Sequence, residues 1–197
     1  MSHYIPFTGP IADYIKANYD QLESEFFNTI ECLPRGAKPR YIRNNGKILY
    51  GGKIDTVSLK LARVLLDQHE QRLTNWTEST ETHRYPFKKR YPNHNINVWN
   101  TLLNTFEDSI EQCFFNIMYP PATLSYHYGV VKHCWRIHIC LQENQGFTFD
   151  ISGEKHKWTK GIDNAFMFDD GNLFHGVTYE DVNVAQPRIV CILDIKK

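Results

Sequence analysis

Apolar side chains recur at helical spacing near the start of the chain. Between residues 11 and 30 they lie three or four positions apart, which is the spacing of a stripe on one face of an amphipathic helix. The stripe consists of Ile11, Tyr14, Ile15, Tyr19, Leu22, Phe26 and Ile30. The breakers in "LPRGAKP" (33–39) end this predicted helix.

A hairpin and a second helix are predicted next. Asn45-Gly46, between the short semi-apolar runs of "RYIRNNGKILYGG", is typical of a type I′ turn. The spacing in "TVSLKLARVLLDQHEQRL" (56–73) predicts a helix with Thr56 or Ser58 as its cap. The polar, proline-containing segment 74–97 predicts a long loop, and such loops are often functional lids.

A third helix is predicted over "VWNTLLNTFEDSIEQCFF" (98–115), after which the period changes. The stripe of this helix is Val98, Leu102, Leu103, Phe106, Ile110 and Cys113. From residue 116 onward the apolar runs are short, β-branched and aromatic, and turn signals such as "ENQG" and "SGEK" separate them. The predicted strands are "TLSYHYGVV", "CWRIHICLQ", "FTFDI", "FMFDD", "HGVTYE" and "RIVCILDI".

Helices followed by closely spaced strands favour an α+β chain that ends in a sandwich or barrel. We expect a single domain over residues 1–197, in which a mainly helical part (1–115) packs on a β-barrel core (116–197). A barrel of the jelly-roll type can hold a ligand in its mouth, where side chains from facing strands converge.

Composition excludes several classes of protein. Hydrophobic residues make up 42% of the chain, and the formal net charge is zero with a pI near 7.1, so nothing favours disorder, nucleic acid or an anionic membrane. The start "MSHYIPFTGP" lacks the features of a signal peptide, and no apolar run approaches the ~18 residues of a membrane span. We therefore expect a soluble, cytoplasmic protein; the oligomeric state stays unknown.

Two smaller features have mainly ordinary interpretations. The local basic cluster "HRYPFKKRYP" (83–92) is typical of a solvated loop, with contact to a phosphorylated or acidic partner as the alternative. The cysteines are odd in number, show no CxxC spacing and are mostly in apolar contexts, where free thiols behave as small hydrophobes.

The strand "WRIHICL" carries unusual charge. Arg136 and His138 are two positions apart and project from one face, while Trp135, Ile137 and Ile139 project from the other. A buried arginine needs an anion, and Arg188 in "PRIVCILD" makes the same demand from a second strand. Two such guanidinium groups suit a dianion with two carboxylates.

A different interpretation of the arginines is internal pairing. Three aspartates, namely Asp150, Asp169 and Asp194, are the candidate partners for Arg136 and Arg188.

Two histidines lie where a strand meets a turn. His127 precedes Gly129, and His175 follows "DDGN". Neutral imidazoles suit Fe(II), Zn or Cu, whereas either histidine taken alone is more often a satisfied or surface residue. The combination with the arginines and His138 is what favours a metal site.

The segment from Asn116 to Asp194 resembles the aspartyl/asparaginyl β-hydroxylases, which are 2-oxoglutarate-dependent non-haem iron oxygenases. The shared elements, in order, are "NIM" (116–118), "HYG" (127–129), "RIH" (136–138), "WTKG" (158–161), "FDDGNLFHGV" (168–177) and "RIVCILD" (188–194). Their spacing nearly matches that of the family, with the last gap a few residues longer. The resemblance covers about 80 residues and does not extend clearly into the first half of the chain.

The resemblance implies a fold, cofactors and a site. The fold would be a double-stranded β-helix, a jelly-roll barrel of the cupin kind. His127 and His175 would bind Fe(II), and the co-substrate 2-oxoglutarate would be held by Asn116, Met118, Arg136, His138 and Arg188, with Arg188 on the distal carboxylate. The reaction would use O₂ to hydroxylate an aliphatic C–H of an amino acid or amino-acid residue, and it would release succinate and CO₂.

Gly129 departs from the wider superfamily, which has a carboxylate ligand two residues after the first histidine. A water or another exogenous ligand would then complete the coordination. Asp169 and Asp170 are candidate acceptors for an imidazole N–H or for that water, or else they simply close a turn. A radical halogenase, with chloride at the free position, and a non-catalytic binding barrel are the alternatives to a hydroxylase.

The substrate is less well defined. Cys134 stands where the animal enzymes have a potential carboxylate-binding arginine, which weakens aspartate as the substrate unless Lys132 or His133 substitutes. The chain also lacks room for a separate helical-repeat domain, so we expect a small molecule or short peptide. Tyr126, Tyr128 and Trp135 are predicted to be core residues rather than stacking surfaces, and His133 has no assigned role.

Overall fold

Among the described residues, more lie in antiparallel strands than in helices. The computed structural model describes residues 3–31, 43–44, 47–48, 50–51, 54–60, 96–180 and 186–197. The helices are α1 (Pro10–Ala17), α2 (Tyr19–Glu31) and α3 (Asn97–Thr105). The strands are β1 (Ile5–Pro6), β2 (Arg43–Asn44), β3 (Lys47–Ile48), β4 (Tyr50–Gly51), β5 (Ile54–Lys60), β6 (Ile110–Met118), β7 (Thr123–His127), β8 (Cys134–Gln142), β9 (Phe147–Ile151), β10 (Glu154–His156), β11 (Gly161–Phe168), β12 (His175–Tyr179) and β13 (Arg188–Lys196).

The described strands form two large sheets and one hairpin. The major sheet has the order β1-β11-β8-β13-β6-β5, and the minor sheet has the order β10-β9-β12-β7-β4. Every strand pair in them is antiparallel. Neighbours in each sheet are often distant in sequence, as in a jelly roll.

The two faces of the major sheet bury different sets of side chains. Ile137 and Ile139 of β8 share a buried cluster with residues of all three described helices, among them Ile15 and Trp99. Cys140, on the opposite face of β8, belongs to a second cluster that includes residues of β9 and β12 in the minor sheet. The predicted alternation along this strand is confirmed, and its Arg136–His138 face points between the sheets.

The first predicted helix is present as two helices. Ile11 and Ile15 of α1 and Leu22 and Phe26 of α2 are buried, as the stripe requires. The break falls at Asn18, whose side-chain amide donates to the Tyr14 carbonyl at 2.8 Å. An asparagine side chain that bonds to the backbone in this way competes with helix continuation.

Two helix predictions are wrong over the described residues. The predicted helix 56–73 begins within β5, so Thr56 and Ser58 are strand residues and not caps, while 61–73 lies outside the described residues. The predicted helix 98–115 ends at Thr105 as α3, and Ile110–Met118 forms β6. The described residues of the first 115 therefore include strands as well as helices, and a mainly helical part over 1–115 stays a prediction.

The position of β6 in the sheet accounts for the second error. It pairs with β13 on one side and β5 on the other, and most of its side chains on both faces are buried. A strand buried on both faces shows no apolar–polar alternation, so its sequence cannot be told from a buried helix by period alone.

Of the remaining predictions, that of the hairpin can be tested on the described residues. The hairpin is confirmed, because β2 pairs with β3 and Asn44 lies opposite Lys47; its turn, like loop residues 74–95, lies outside the described residues. Within the described part of the chain, no helix is long and apolar enough to cross a membrane. The single domain over 1–197 stays a prediction.

Candidate active site

His127 and His175 lie side by side on neighbouring strands of the minor sheet. They are directly opposite each other in the antiparallel pairing of β7 with β12, and their ring centroids are 4.5 Å apart. His175 is buried and His127 is half-buried. The structure thus brings together two imidazoles that are 48 residues apart in the sequence.

Hydrogen bonds to the backbone fix the tautomer of both rings. Nδ1 of His127 lies 2.8 Å from the Ser125 carbonyl, and Nδ1 of His175 lies 2.8 Å from the Leu173 carbonyl. Because a carbonyl only accepts, each Nδ1 must carry the proton and each Nε2 presents a lone pair. Burial lowers the pKa of His127, and the neighbouring His175 lowers it further, which favours the neutral, ligating form.

Asp170 lies beside this pair. It is 1% exposed, and its Oδ1 is 3.1 Å from Nε2 of His175. Burial acts to raise the pKa of the Asp170 carboxyl, but Arg136 and His175 outweigh burial and hold that pKa below its ordinary value. Oδ2 of Asp170 is buried and has no hydrogen-bond partner among the described residues.

This arrangement fits a cation. An imidazole lone pair and a carboxylate oxygen at 3.1 Å repel each other unless a proton or a metal ion lies between or beside them. Two neutral imidazoles with an adjacent carboxylate suit a divalent transition metal such as Fe(II). Among the described residues, no three histidine, cysteine or carboxylate side chains form a group that could hold a metal ion.

Gly129 makes room for the Asp170 carboxylate. A Cβ atom added at position 129 would lie 1.4 Å from Oδ2 of Asp170, and the Gly129 amide donates to the Asp170 carbonyl at 2.8 Å. The carboxylate of Asp170 therefore occupies the space that a side chain at position 129 would take. Asp169 is directed elsewhere, since its Oδ2 accepts from Lys197 and Asn172 in the same turn.

Arg136 is paired with carboxylates. Its Nε and one terminal nitrogen each donate to Asp194 at 2.7 Å, and the other terminal nitrogen donates to Asp170 at 2.7 Å. Of the two interpretations of this arginine, internal pairing with Asp194 is the one the structure contains. The Arg136 guanidinium links β13, at Asp194, to the turn that carries Asp170.

Arg188 has a different environment. It is 1% exposed, it donates to Oδ1 of Asn116, and its Nε has no partner among the described residues. Its Cζ lies 4.1 Å from the Trp158 ring, and no carboxylate of the described residues pairs with it. Burial lowers the pKa of Arg188 to about 9, so the side chain is still charged at neutral pH and needs an anion.

Three other predicted co-substrate residues lie near Arg188 on the same sheet. Met118 is directly opposite Arg188 in the pairing of β6 with β13, and Asn116 is opposite Val190. Met118 is fully buried and Asn116 is half-buried. His138 is also buried, and burial followed by the Arg188 charge lowers the pKa of His138 well below its ordinary value, so its ring is neutral.

Comparison with protein families gives a direct match. Residues 65–197 match the family described as aspartyl/asparaginyl beta-hydroxylase. The chain belongs to this family. It is therefore a hydroxylase of the class that depends on Fe(II) and 2-oxoglutarate, and the family implies both cofactors.

A search of curated proteins found no match. Similar solved structures include a Burkholderia pseudomallei oxidoreductase of the 2OG-Fe(II) oxygenase family, at 12% identity and TM-score 0.44, covering 98% of this chain and 94% of that one. A Pseudomonas putida prolyl-4-hydroxylase has 11% identity and TM-score 0.40, with coverages of 100% and 90%. The viral collagen prolyl hydroxylase of Paramecium bursaria Chlorella virus-1 has 12% identity and TM-score 0.34, with coverages of 74% and 97%.

Aromatic rings connect the histidine pair with the Arg188 region. Phe149 and Phe168 each contact His175, at centroid distances of 5.8 and 5.3 Å, and each also contacts His138, at 5.0 and 5.2 Å. The histidine pair and the Arg188 region thus border one apolar interior between the sheets. Such surroundings strengthen electrostatic contacts to a bound anion or metal.

Several residues near the motif lie elsewhere than predicted or were missed. Tyr126 is 40% exposed and Tyr128 is 57% exposed, so the core prediction for both is wrong. Trp135 is half-buried with Lys197 against its ring, and His133 is exposed. Trp158 was not predicted as a site residue, although it is the first residue of the W-x-x-G element.

Proposed function

We propose that this β-hydroxylase-family protein hydroxylates an aliphatic C–H of an amino acid or amino-acid residue. It would consume 2-oxoglutarate and O₂ and release succinate and CO₂. The main support is the pair of imidazoles, His127 and His175, which both carry their proton on Nδ1 and so leave Nε2 available to a metal. The buried interior beside them also contains Arg188, which has no carboxylate partner among the described residues. Those are the requirements of a metal and of a dicarboxylate in one site.

Different residues would bind the metal and the co-substrate. His127 and His175 would hold Fe(II), which supplies the O₂ activation and oxidative decarboxylation when bound with 2-oxoglutarate. Arg188 would bind the distal carboxylate of the co-substrate, and Asn116, Met118 and His138 would complete its binding site. The unpartnered Nε of Arg188 and its lack of a carboxylate among the described residues support this assignment.

Arg136 was predicted to hold 2-oxoglutarate as well. Its contacts with Asp194 and Asp170 support a more indirect part, in which it fixes the carboxylate next to His175. The unpartnered Oδ2 of Asp170 suits a hydrogen bond from a water at the metal, which is the role predicted for an aspartate of this turn.

The same carboxylate disfavours the halogenase alternative. Chloride at the position freed by Gly129 would be next to Oδ2 of Asp170, and two anions at such a separation repel strongly in a buried site. Product analysis in the presence of chloride tests this, because a halogenase would form a chlorinated product.

The substrate class rests on Cys134. This residue is 1% exposed, and burial raises the pKa of its thiol to about 12, so the group is neutral at physiological pH. A neutral thiol at the position of a potential carboxylate-binding arginine supports an amino-acid substrate other than aspartate. Lys132 and His133, which could substitute for that arginine, are both exposed.

The decisive experiment is an anaerobic titration of the apo-protein with Fe(II) and then with 2-oxoglutarate. We expect a visible metal-to-ligand charge-transfer band to appear only after both are present. The His133→Ala variant should give the same band, because His133 is exposed and is assigned neither to the metal nor to the co-substrate. If wild-type protein binds neither metal nor co-substrate, the non-catalytic barrel becomes the better interpretation.

A further inference from the structure

Trp158 contacts two of the residues assigned to the co-substrate. It is 2% exposed, its Nε1 lies 3.3 Å from Nδ1 of His138, and Cζ of Arg188 lies 4.1 Å from its ring. These residues come from three different places in the chain: the β10–β11 connection, β8 and β13. One indole therefore joins the groups that must act together on 2-oxoglutarate.

The contact with His138 determines where that ring carries its proton. An indole N–H can only donate, so Nδ1 of His138 must be the acceptor in this hydrogen bond. Because His138 is neutral, its single proton is then on Nε2. The Nε2–H is a donor, which is what a carboxylate or keto oxygen of a bound dianion requires.

The contact with Arg188 acts on the other end of the site. The guanidinium faces the indole at cation–π distance, while its edge carries the N–H groups, of which Nε has no partner among the described residues. Stacking on one face holds the plane of the guanidinium and leaves its edge for the two oxygens of a carboxylate. The ring also gives the buried charge a favourable contact in an interior that supplies no described counter-ion.

The backbone around Trp158 is held in place by the β8–β9 connection. Nε2 of Gln145 donates to the Trp158 carbonyl at 3.3 Å, the Lys160 amide donates to the Glu143 carboxylate at 3.2 Å, and Lys157 donates to the Gln145 carbonyl at 2.7 Å. Phe149 stacks on the indole at 5.3 Å from the other side of the interior. The ring thus has a defined position before any ligand binds.

We propose that Trp158 is a positioning residue for the co-substrate: it fixes His138 as an Nε2–H donor and orients the Arg188 guanidinium for a carboxylate. The proposal deepens the proposed function and rests on it for the identity of the anion. The tautomer of His138, however, is a property of the apo-protein and is independent of any cofactor.

The test uses Trp158→Phe, which keeps an aromatic face for Arg188 but deletes the N–H. The matched control is Trp99→Phe, because Trp99 is equally buried and its Nε1 also makes one hydrogen bond, to the Leu22 carbonyl at 2.8 Å, in the cluster on the opposite face of the major sheet. Both changes remove a buried indole donor, but only one of these donors contacts His138.

Two quantities are measured on each protein. The first is the His138 tautomer, from long-range ¹H–¹⁵N correlation spectra of ¹⁵N-histidine-labelled apo-protein, with His138→Gln to assign the signal. The second is the dissociation constant of 2-oxoglutarate, from calorimetry with a redox-inert divalent metal in place of iron. Neither depends on turnover.

We expect wild-type protein and Trp99→Phe to show the Nε2–H tautomer and the same dissociation constant. Trp158→Phe should show a mixture of tautomers and bind 2-oxoglutarate about tenfold more weakly, the loss for one hydrogen bond that orients a charged ligand. The proposal is overturned if His138 of the wild-type protein carries its proton on Nδ1. It is also overturned if Trp158→Phe keeps the wild-type tautomer and binds 2-oxoglutarate with a dissociation constant within twofold of wild type. If wild-type protein does not bind 2-oxoglutarate at all, the proposed function fails, while the tautomer result still decides whether Trp158 sets His138.

Discussion

In three histidines of the candidate site, the atom that faces Nδ1 decides which ring nitrogen carries the proton. Nδ1 of His127 and Nδ1 of His175 face carbonyl oxygens, which leaves both Nε2 atoms without a proton in the neutral rings. Nδ1 of His138 faces an indole N–H, which leaves its Nε2 as a donor. The sequence shows these three imidazoles, but only the hydrogen-bond partners distinguish the two proposed metal ligands from the proposed co-substrate donor.

Replacing His175 with alanine should abolish iron binding and turnover, because the one remaining imidazole does not hold Fe(II) firmly enough. Iron content after anaerobic reconstitution is the measurement, and succinate release follows it. Full activity in this variant would show that His175 is not a ligand.

Arg188→Ala should raise the 2-oxoglutarate concentration needed for half-maximal binding by at least about a hundredfold, since a buried, charge-assisted contact to a carboxylate is worth several kcal/mol. Calorimetry gives the dissociation constant directly. Arg188→Lys is the matched variant, since it keeps the positive charge but lacks the paired N–H donors of the guanidinium. Its dissociation constant should lie between those of the wild-type protein and Arg188→Ala. An unchanged requirement in the alanine variant would mean that the arginine serves the fold alone.

Gly129 and Asp170 should be energetically coupled. The Cβ of Gly129→Ala would fall 1.4 Å from Oδ2 of Asp170, so this carboxylate must move, and we expect a loss of about 1–3 kcal/mol in the free energy of unfolding. In the Gly129→Ala/Asp170→Ala double variant the clash is gone, and adding the glycine change to Asp170→Ala should then cost little. Urea unfolding of the four proteins completes the cycle; additive effects would contradict the contact.

At the level of elements, the strands after residue 116 were predictable because most of them have one apolar face or are bounded by turn residues. The prediction for β8 agrees with the structure at both ends, Cys134 and Gln142. β5 and β6 were not predictable, since β6 is buried on both faces and β5 is recognisable mainly by its pairing with β6. Periodicity reports local exposure, whereas these two strands owe their state to partners distant in sequence.

The same limit applies to the candidate site. The motif residues were found from the sequence, but the pairing of Arg136 with Asp194 and Asp170 depends on a register between β8 and β13 that no spacing reveals. Trp158 was overlooked for a similar reason, because its partners come from two other strands.

The Arg136–Asp194 ion pair, which joins β8 to β13, should contribute to both stability and iron binding. Asp194→Asn removes the charge from a pair that is 1% exposed on the Asp194 side and 13% exposed on the Arg136 side, so the free energy of unfolding should fall by about 3 kcal/mol. Iron affinity should fall too, since Arg136 would no longer be held against Asp170. Replacing the pair by Arg136→Met/Asp194→Leu should restore much of the stability but not the iron affinity. Recovery of both would show that the pair has no part in placing Asp170.

At the scale of the whole molecule, helices cover one face of the major sheet and the minor sheet covers the other. The cysteine side chains of this sheet are therefore buried. The four cysteines among the described residues are all free and buried. Burial raises the pKa of Cys140 and of Cys134 to about 12, and it raises the pKa of Cys191 well above the ordinary value, with its neighbour Cys113 adding to the effect.

These raised pKa values make the folded protein sensitive to alkali. A thiol whose pKa is higher in the folded state than in the unfolded chain contributes stability that is fully present below the unfolded value, near 9.0, and is lost as pH rises toward the folded value near 12. The urea concentration at the unfolding midpoint should therefore decrease as the pH is raised from 8 to 10.5. In the Cys134→Ala/Cys140→Ala variant the fall should be smaller, because two of the responsible protons are gone, whereas an equal fall in both proteins would assign the alkaline sensitivity to other groups.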